Sequence, residues 1–260
     1  MAGGGSAEDL LSRIEKAEKS LRSQLRLPQP DQKTVKPLRT ALIGLHEELI
    51  TSHHSVACKS EAEQSLWKLG FYKRIEDFRK RHARMTEALE DPAKKQRAAG
   101  ALELVNAEFL RFLNKSLAFY TTLMVKLASA CDLDVPGYSY PEISMAELER
   151  LRAGRGELGA MVTSCQRCLT YMGDLERYRA LYLSGGAPDY GAAEAHYRTA
   201  SRLTPHAGTP HNQIAVLCTY RPDDLSGAYR YARALACRAP FATARENMVL
   251  LFDKNRPRAG

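Results

Sequence analysis

The chain has 260 residues, 44% apolar and 26% charged, an ordinary balance for a globular protein and one that argues against a disordered or fibrous chain. A net charge of +8 and a pI near 9.2 point to acidic partners (nucleic acid, a phosphorylated peptide or an acidic surface) without choosing among them. No apolar run approaches the ~20 residues of a membrane span. The six cysteines, Cys58, Cys131, Cys165, Cys168, Cys218 and Cys237, are scattered and read as reduced, mostly core thiols of an intracellular protein.

Residues 1–7 read as a short flexible leader. Leu10, Ile14, Ala17, Leu21 and Leu25 recur at three- and four-residue steps and predict a first helix over 8–26, with Ser6 or Glu8-Asp9 at its positive end. Pro28 and Pro30 stop it. Val35, Leu38, Leu42, Leu45 and Leu49 predict a second helix over 33–57, so the first two form an antiparallel hairpin. A third helix, 60–90, carries Trp67, Phe71, Ile75 and Phe78 as its apolar stripe, with many cations around it. At ~100° per residue, Lys68, Tyr72 and Arg79 share the edge of that stripe, while Lys73 and Lys80 point further out. Such an edge can line a groove; the blander alternative is a solvated face with snorkelling stems.

Residues 95–130 predict a long helix, from Leu102 to Leu127, with apolar residues on more than one side, hence a central element. Pro and Gly make 132–141 a loop. A turn or two of helix at 145–151 breaks at Gly154-Arg-Gly156, and a further long helix spans 157–184. The last third repeats: Ala193, Tyr197, Ala200 and Leu203 return 34 residues later as Gly227, Tyr231, Ala234 and Cys237. That period belongs to tetratricopeptide helix pairs. Residues 210–217 supply the small-apolar pattern of a helix between them, and 241–252 one more. No segment reads as a strand. The fold class is all-α, an antiparallel array of about nine to ten helices.

No phosphate-binding glycine loop, dinucleotide fingerprint or zinc-protease motif is present. Cys165-x-x-Cys168 lacks the second pair of a zinc site and reads as core packing. His206 and His211 flank a repeat loop, and Asp223-Asp224 reads as a helix N-cap. Nothing pairs a nucleophile with a base, so the chain is not read as an enzyme, and no cofactor or metal is expected. The helix over 157–184 ends in Arg177-Tyr178-Arg179. A planar guanidinium suits two phosphate oxygens at once; an ion pair between packed helices is the alternative, and the residues alone leave both open.

Four blocks carry a resemblance: Leu66-Trp-Lys-Leu-Gly-Phe-Tyr-Lys-Arg-Ile75, Cys131-Asp-Leu-Asp-Val-Pro136, Cys165-Gln-Arg-Cys-Leu-Thr-Tyr-Met-Gly-Asp-Leu-Glu-Arg-Tyr178, and Ala195-His-Tyr-Arg-Thr-Ala-Ser-Arg-Leu-Thr-Pro205 followed by Pro210-His-Asn-Gln-Ile214. In this order they resemble the N-terminal region of the Est1-like telomerase-associated proteins and the SMG proteins of nonsense-mediated mRNA decay, over roughly 33–253. The resemblance implies a 14-3-3-like helical domain over 8–188, continuing into tetratricopeptide-like hairpins over 189–254 that complete a groove, and a frayed tail at 255–260. It implies a non-catalytic adaptor that binds phosphoserine, its partner being a phosphorylated RNA helicase of the surveillance complex. A paralogous decay adaptor as hetero-dimer partner, and RNA or a telomerase ribonucleoprotein, belong to the same set; a membrane does not. Residence in the cytoplasm, with shuttling to the nucleus, follows from the same resemblance.

Carried over by position, the phosphate-binding pair is Arg177-Tyr178. The opposite wall comes from the third helix, where Tyr72 stands in place of the family's lysine, with Lys73 beside it, Lys68 one turn before and Arg79 seven residues on. Asn212 is the candidate for contact with the peptide backbone. Two other readings stand beside the adaptor: a telomerase- or RNA-associated protein that uses its basic surface, and a plain tetratricopeptide-like scaffold in which Arg177 is a structural ion-pair member.

Overall fold

Ser6 starts the first helix: its Oγ accepts from the backbone N–H of Asp9 (3.2 Å), leaving one fewer orphan donor in the first turn. In the computed structural model, which describes residues 6–135, 137–138, 145–154 and 156–255, this helix is α1, Ala7–Leu25. Asp31 does the same for α2, Gln32–Ser52, accepting from the N–H of Lys33 (3.0 Å) and the hydroxyl of Thr34 (2.9 Å). Residues 1–5 of the leader, the tail beyond residue 255, residues 136 and 139–141 of the loop, and Arg155 lie outside the described residues, while Ser6 and Ala7 of the predicted leader cap and begin α1. Every named element among the described residues is a helix, and the only bridge of extended type among them pairs Ala207 with Ala239. No helix is long and apolar enough to cross a membrane among those residues.

Two compact units divide the chain. The first comprises Met1–Ser116, Val125–Leu133 and Ser139–Met161. Here α1 and α2 pack as a hairpin on fully buried Leu10, Leu21, Val35, Leu42 and Leu49, each burial contributing about 1.5–3 kcal/mol. The second helix is shorter than its pattern implies. It stops at Ser52, His53 leaves helical geometry (φ −139°, ψ 52°), and His54–Lys59 forms a separate α3. Glu61, at φ 53°, turns the chain into α4, Ala62–Ser65.

The third predicted helix is not one α-helix. Leu66–Tyr72 is a π-helical turn, followed by α5, Lys73–Ala88. Gly70, inside this turn, lies close against α2: a Cβ there would stand 3.0 Å from Ile43. The wider turn changes which side chains face inward. Leu66, Leu69 and Phe71 are buried, whereas Trp67, predicted as core, is half-buried. A wheel drawn at a constant angle through 68–79 therefore misplaces Lys68 relative to Tyr72 and Arg79, whereas those two are joined by regular α-helix from Lys73 onward and keep their seven-residue register. Beyond the turn the α period resumes. Ile75 and Phe78 are buried, and Phe78 stacks on Phe109 (ring centroids 4.8 Å) of α6, Lys95–Ala130. The unit closes with α7, Met145–Gly154, longer than the turn or two predicted.

The second unit comprises Leu117–Met124, Asp134–Tyr138 and Val162–Gly260. It holds most of α8, Leu158–Leu183, and four further helices: α9, Gly191–Leu203; α10, Gly208–Tyr220; α11, Asp224–Ala236; and α12, Ala244–Asn255. The 34-residue repeat is visible in the packing. Ala193, Tyr197 and Ala200 are buried on α9, and Gly227, Tyr231 and Ala234 on α11. Successive hairpins are stitched by backbone bonds, with Gly208 N–H donating to Ala239 O (2.8 Å) and Ala239 N–H to His206 O (2.9 Å). Gly208 permits this approach, since a Cβ would lie 2.7 Å from the backbone nitrogen of Phe241. Asp223 caps α11 by accepting from the N–H of Ser226 (3.2 Å).

A pH dependence follows from His46 in the first unit. Its ring is buried, its Nδ1 donates to the carbonyl of Leu42 (3.0 Å), and its Nε2 lies 3.7 Å from Glu18. Burial lowers its pKa below the ordinary 6.5, against the opposing pull of the Leu42 bond and Glu18. The unfolded chain then binds the proton more readily than the folded one, so stability is complete above pH 6.5 and falls as pH drops through that value. His82, His196 and His211 are shifted the same way. Urea midpoints measured from pH 7.5 to 5 should decline below pH 6.5, and His46→Gln should flatten part of that decline.

Candidate functional site

Asp174 and Arg177 lie one turn apart on α8, where side chains three residues apart meet. Both are buried, 8% exposed each. Arg177 Nη2 donates to Asp174 Oδ1 (3.0 Å). The same oxygen accepts from the hydroxyl of Tyr197 on α9 (2.7 Å) and from the amide of Gln213 on α10. Tyr197 in turn accepts from Arg177 Nε (3.3 Å), so two of the carboxylate's three donors are bonded to each other. The line continues outward: Asn212 Nδ2 donates to Gln213 Oε1 (2.9 Å), and Asn247 Nδ2 of α12 donates to Asn212 Oδ1 (3.0 Å). One polar chain thus ties α8, α9, α10 and α12.

Gly173 is what lets Tyr197 reach this hub. A Cβ at 173 would stand 2.6 Å from the Cδ1 of the Tyr197 ring and closer still to its Cε1, so the ring occupies the space a side chain would take. Burial disfavours the Arg177 charge, but Asp174, then Tyr197 and Tyr178, outweigh it and hold the guanidinium protonated. Burial, then the Asp174 carboxylate, keep the Tyr197 phenol neutral. The guanidinium carbon also sits 4.5 Å from the centre of the Tyr178 ring, a cation–π contact. Arg177 Nη1 donates to nothing among the described residues.

The predicted site residues fall in two groups. Arg177, Tyr178 and Asn212 belong to the second unit; all three are buried, and Asn212 has both ends of its amide engaged. Lys68, Tyr72, Lys73 and Arg79 belong to the first. Lys68 is exposed, Tyr72 is half-buried beside Trp67 (ring centroids 6.4 Å), Lys73 pairs with Glu76 (2.7 Å), and Arg79 is half-buried. Sequence reasoning found Arg177 but missed its partners. Asp174 and Tyr197 were in view as parts of longer motifs, yet nothing in the sequence brings position 174 to 197 or 213. The signal available was the glycine at 173 ahead of an aspartate and an arginine one turn apart. Cys165 and Cys168 are buried thiols. No group of three or more His, Cys, Asp or Glu side chains is placed to hold a metal among the described residues.

Helical hairpins tied by a buried carboxylate hub define an all-α array protein, and comparison assigns it. Residues 61–183 match the family of the telomerase activating protein Est1, and residues 193–259 the Est1 DNA/RNA binding domain. These matches take in most of the chain, which belongs to the Est1-like family. It is similar to the nonsense-mediated mRNA decay factor SMG7 of Arabidopsis thaliana, 33% identical over 217 residues that make up 81% of this chain and 20% of that protein. It is also similar to the telomerase-binding protein EST1A of Danio rerio, 29% identical over 240 residues, 92% of this chain and 14% of that one. The chain therefore spans a fifth or less of these relatives' length. Among solved structures it resembles the crystal structure of Est1 and Cdc13, with a TM-score of 0.55 at 18% identity over 95% of this chain and 48% of that one. The C. elegans SMG5–SMG7 complex gives 0.52 at 17%, over 95% and 54%. At these identities the likeness establishes the all-α fold.

The hub predicts a specific mutational effect. Tyr197→Phe keeps the ring against Gly173 but removes the hydroxyl that bridges Asp174 and Arg177, leaving buried groups short of a partner. It should cost about 1–3 kcal/mol, read as a lower urea midpoint with an unchanged slope.

Proposed function

We propose that the chain is a non-catalytic adaptor module of the nonsense-mediated decay type that binds a phosphoserine peptide, its partner being a phosphorylated RNA helicase of the surveillance complex. The observation that supports this reading most is Arg177: a buried guanidinium held charged and oriented by Asp174, with Nη1 uncommitted. Orienting a cation before the ligand arrives lowers the ordering cost of binding. A phosphate of about −1.5 to −2 charge would be met by that guanidinium with Tyr178. Lys68, Tyr72, Lys73 and Arg79, which belong to the first unit, are the further phosphate-binding residues of this reading. Asn212 would reach the peptide backbone by exchanging its bond from Asn247. The domain division into 8–188 and 189–254, residence in the cytoplasm with nuclear shuttling, and a paralogous decay adaptor as hetero-dimer partner are parts of the same proposal; similarity to SMG7, and a solved SMG5–SMG7 complex as structural neighbour, support that last part.

A second reading has its own support. The match to a DNA/RNA binding domain covers 193–259, a segment with Arg198, Arg202, Arg221, Arg230, Arg233 and Arg238. In it the chain is a telomere- or RNA-associated protein that holds nucleic acid through its basic surface.

One set of titrations separates the two. A serine-phosphorylated peptide should bind at micromolar strength and at least tenfold more tightly than its unphosphorylated form, and Arg177→Glu, checked for folding by its melting curve, should abolish that preference. Equal binding of the two peptides sinks the adaptor reading. Single-stranded RNA binding that falls steeply between low and high salt and ignores peptide phosphorylation would instead carry the second reading.

A further inference from the structure

The first unit contains a cleft of about 380 Å³ that the Arg177 reading touches only at Lys73. Its wall is cationic. Arg22 and Arg26 come from the last turn of α1 and just beyond it, Arg39 from α2, and Lys73, Arg74 and Lys80 from α5. Two carboxylates, Glu76 and Asp77, face these six cations, and each is already paired, Glu76 with Lys73 (2.7 Å) and Asp77 with Arg74 (2.5 Å). Leu25 and Leu69 supply apolar wall between them.

Arg39 is the anomaly. It is only 7% exposed, and its Nε is buried with no hydrogen-bond partner. Burial, then the nearby Arg74, push its pKa down to about 10, with Asp77 pulling the other way. Burial likewise lowers the pKa of Arg74, whose guanidinium carbon lies 4.2 Å from the centre of the Phe78 ring. Both guanidinia remain charged at neutral pH. A buried charge lacking a full set of partners is costly, and such a group calls for a specific explanation, of which an anion is one. Two guanidinia with flanking cations match a dianion with three acceptor oxygens better than a single carboxylate.

We propose that this cleft, with Arg39 at its base and Arg74, Arg26 and Lys80 around it, is a second anion site that binds a dianionic phosphate group. Lys73 is the one residue it shares with the Arg177 reading; the rest are separate side chains, so either can fail without the other. The group arrives free or on a phosphorylated side chain, and the shared chemistry is the phosphate.

Calorimetric titration of the whole chain at low ionic strength with inorganic phosphate, and with a phosphoserine peptide, tests this. Arg39→Met should weaken binding of at least one of the two ligands tenfold or more, while raising or leaving unchanged the melting temperature of the ligand-free protein, because it removes a buried charge. Arg26→Ala combined with Lys80→Ala, both exposed and outside the Arg177 reading, should weaken the same ligand severalfold with no change in melting, and decides the matter if Arg39→Met fails to fold. Arg177→Gln should leave the component that depends on Arg39 in place. Loss with phosphate itself identifies a free ion as sufficient, and loss confined to the peptide identifies a phosphorylated side chain. Binding of both ligands unaltered in the Arg26/Lys80 variant and in any folded Arg39 variant overturns the proposal.

Discussion

A single carboxylate oxygen, Asp174 Oδ1, accepts from a guanidinium, a phenol and an amide carried by three different helices. Each of these donors is buried or half-buried, and each would be expensive to leave unmatched in the low dielectric between helices. The hub therefore fixes the spacing of α8, α9 and α10 more tightly than apolar contact alone, which tolerates sliding. Gly173 is the complement in shape: without a side chain at that position the Tyr197 ring lies flat enough on α8 to bring its hydroxyl to the carboxylate. The motif Gly-Asp-Leu-Glu-Arg-Tyr encodes a docking surface for one helix and a charge for whatever meets Nη1.

Much of the fold was legible because each helix carries a clean three- and four-residue apolar period. The α1–α2 hairpin, the long α6 and the 34-residue repeat all follow from counting. What escaped was any departure from the ideal α period. The π turn at Leu66–Tyr72 keeps helical composition while widening the spacing, so Leu66 and Leu69 go inward and Trp67 partly outward. Within it Gly70 passes close to Ile43, remote in sequence, where an added Cβ would stand 3.0 Å away. The break at His53 escaped for a related reason, since no proline or glycine marks it.

The site was legible only in its charged half. Arg177 stood out as a cation at the end of an apolar helix, but an arginine announces a need for an acceptor without saying which. The acceptor in the structure is the chain's own Asp174, and a guanidinium committed on Nε and Nη2 is stiff. Both the scaffold reading, in which Arg177 holds helices together, and the phosphate reading, in which it waits for a ligand, draw on that stiffness. Arg39 was invisible for the opposite reason: it sits in an amphipathic helix among ordinary surface cations, and only packing shows that its side chain goes inward.

Membership of the Est1-like family fits an array whose helices are joined by a continuous polar chain from Asn247 to Asp174. The dependence of that array on the Asp174–Arg177 pair is tested most directly by a double-mutant cycle in urea with Asp174→Asn, Arg177→Gln and the double variant. Each single change strands a buried partner and should cost about 3–5 kcal/mol, while the double variant should cost at least ~1 kcal/mol less than their sum. Additivity within about 0.3–0.5 kcal/mol, or single variants as stable as the parent, would contradict the account.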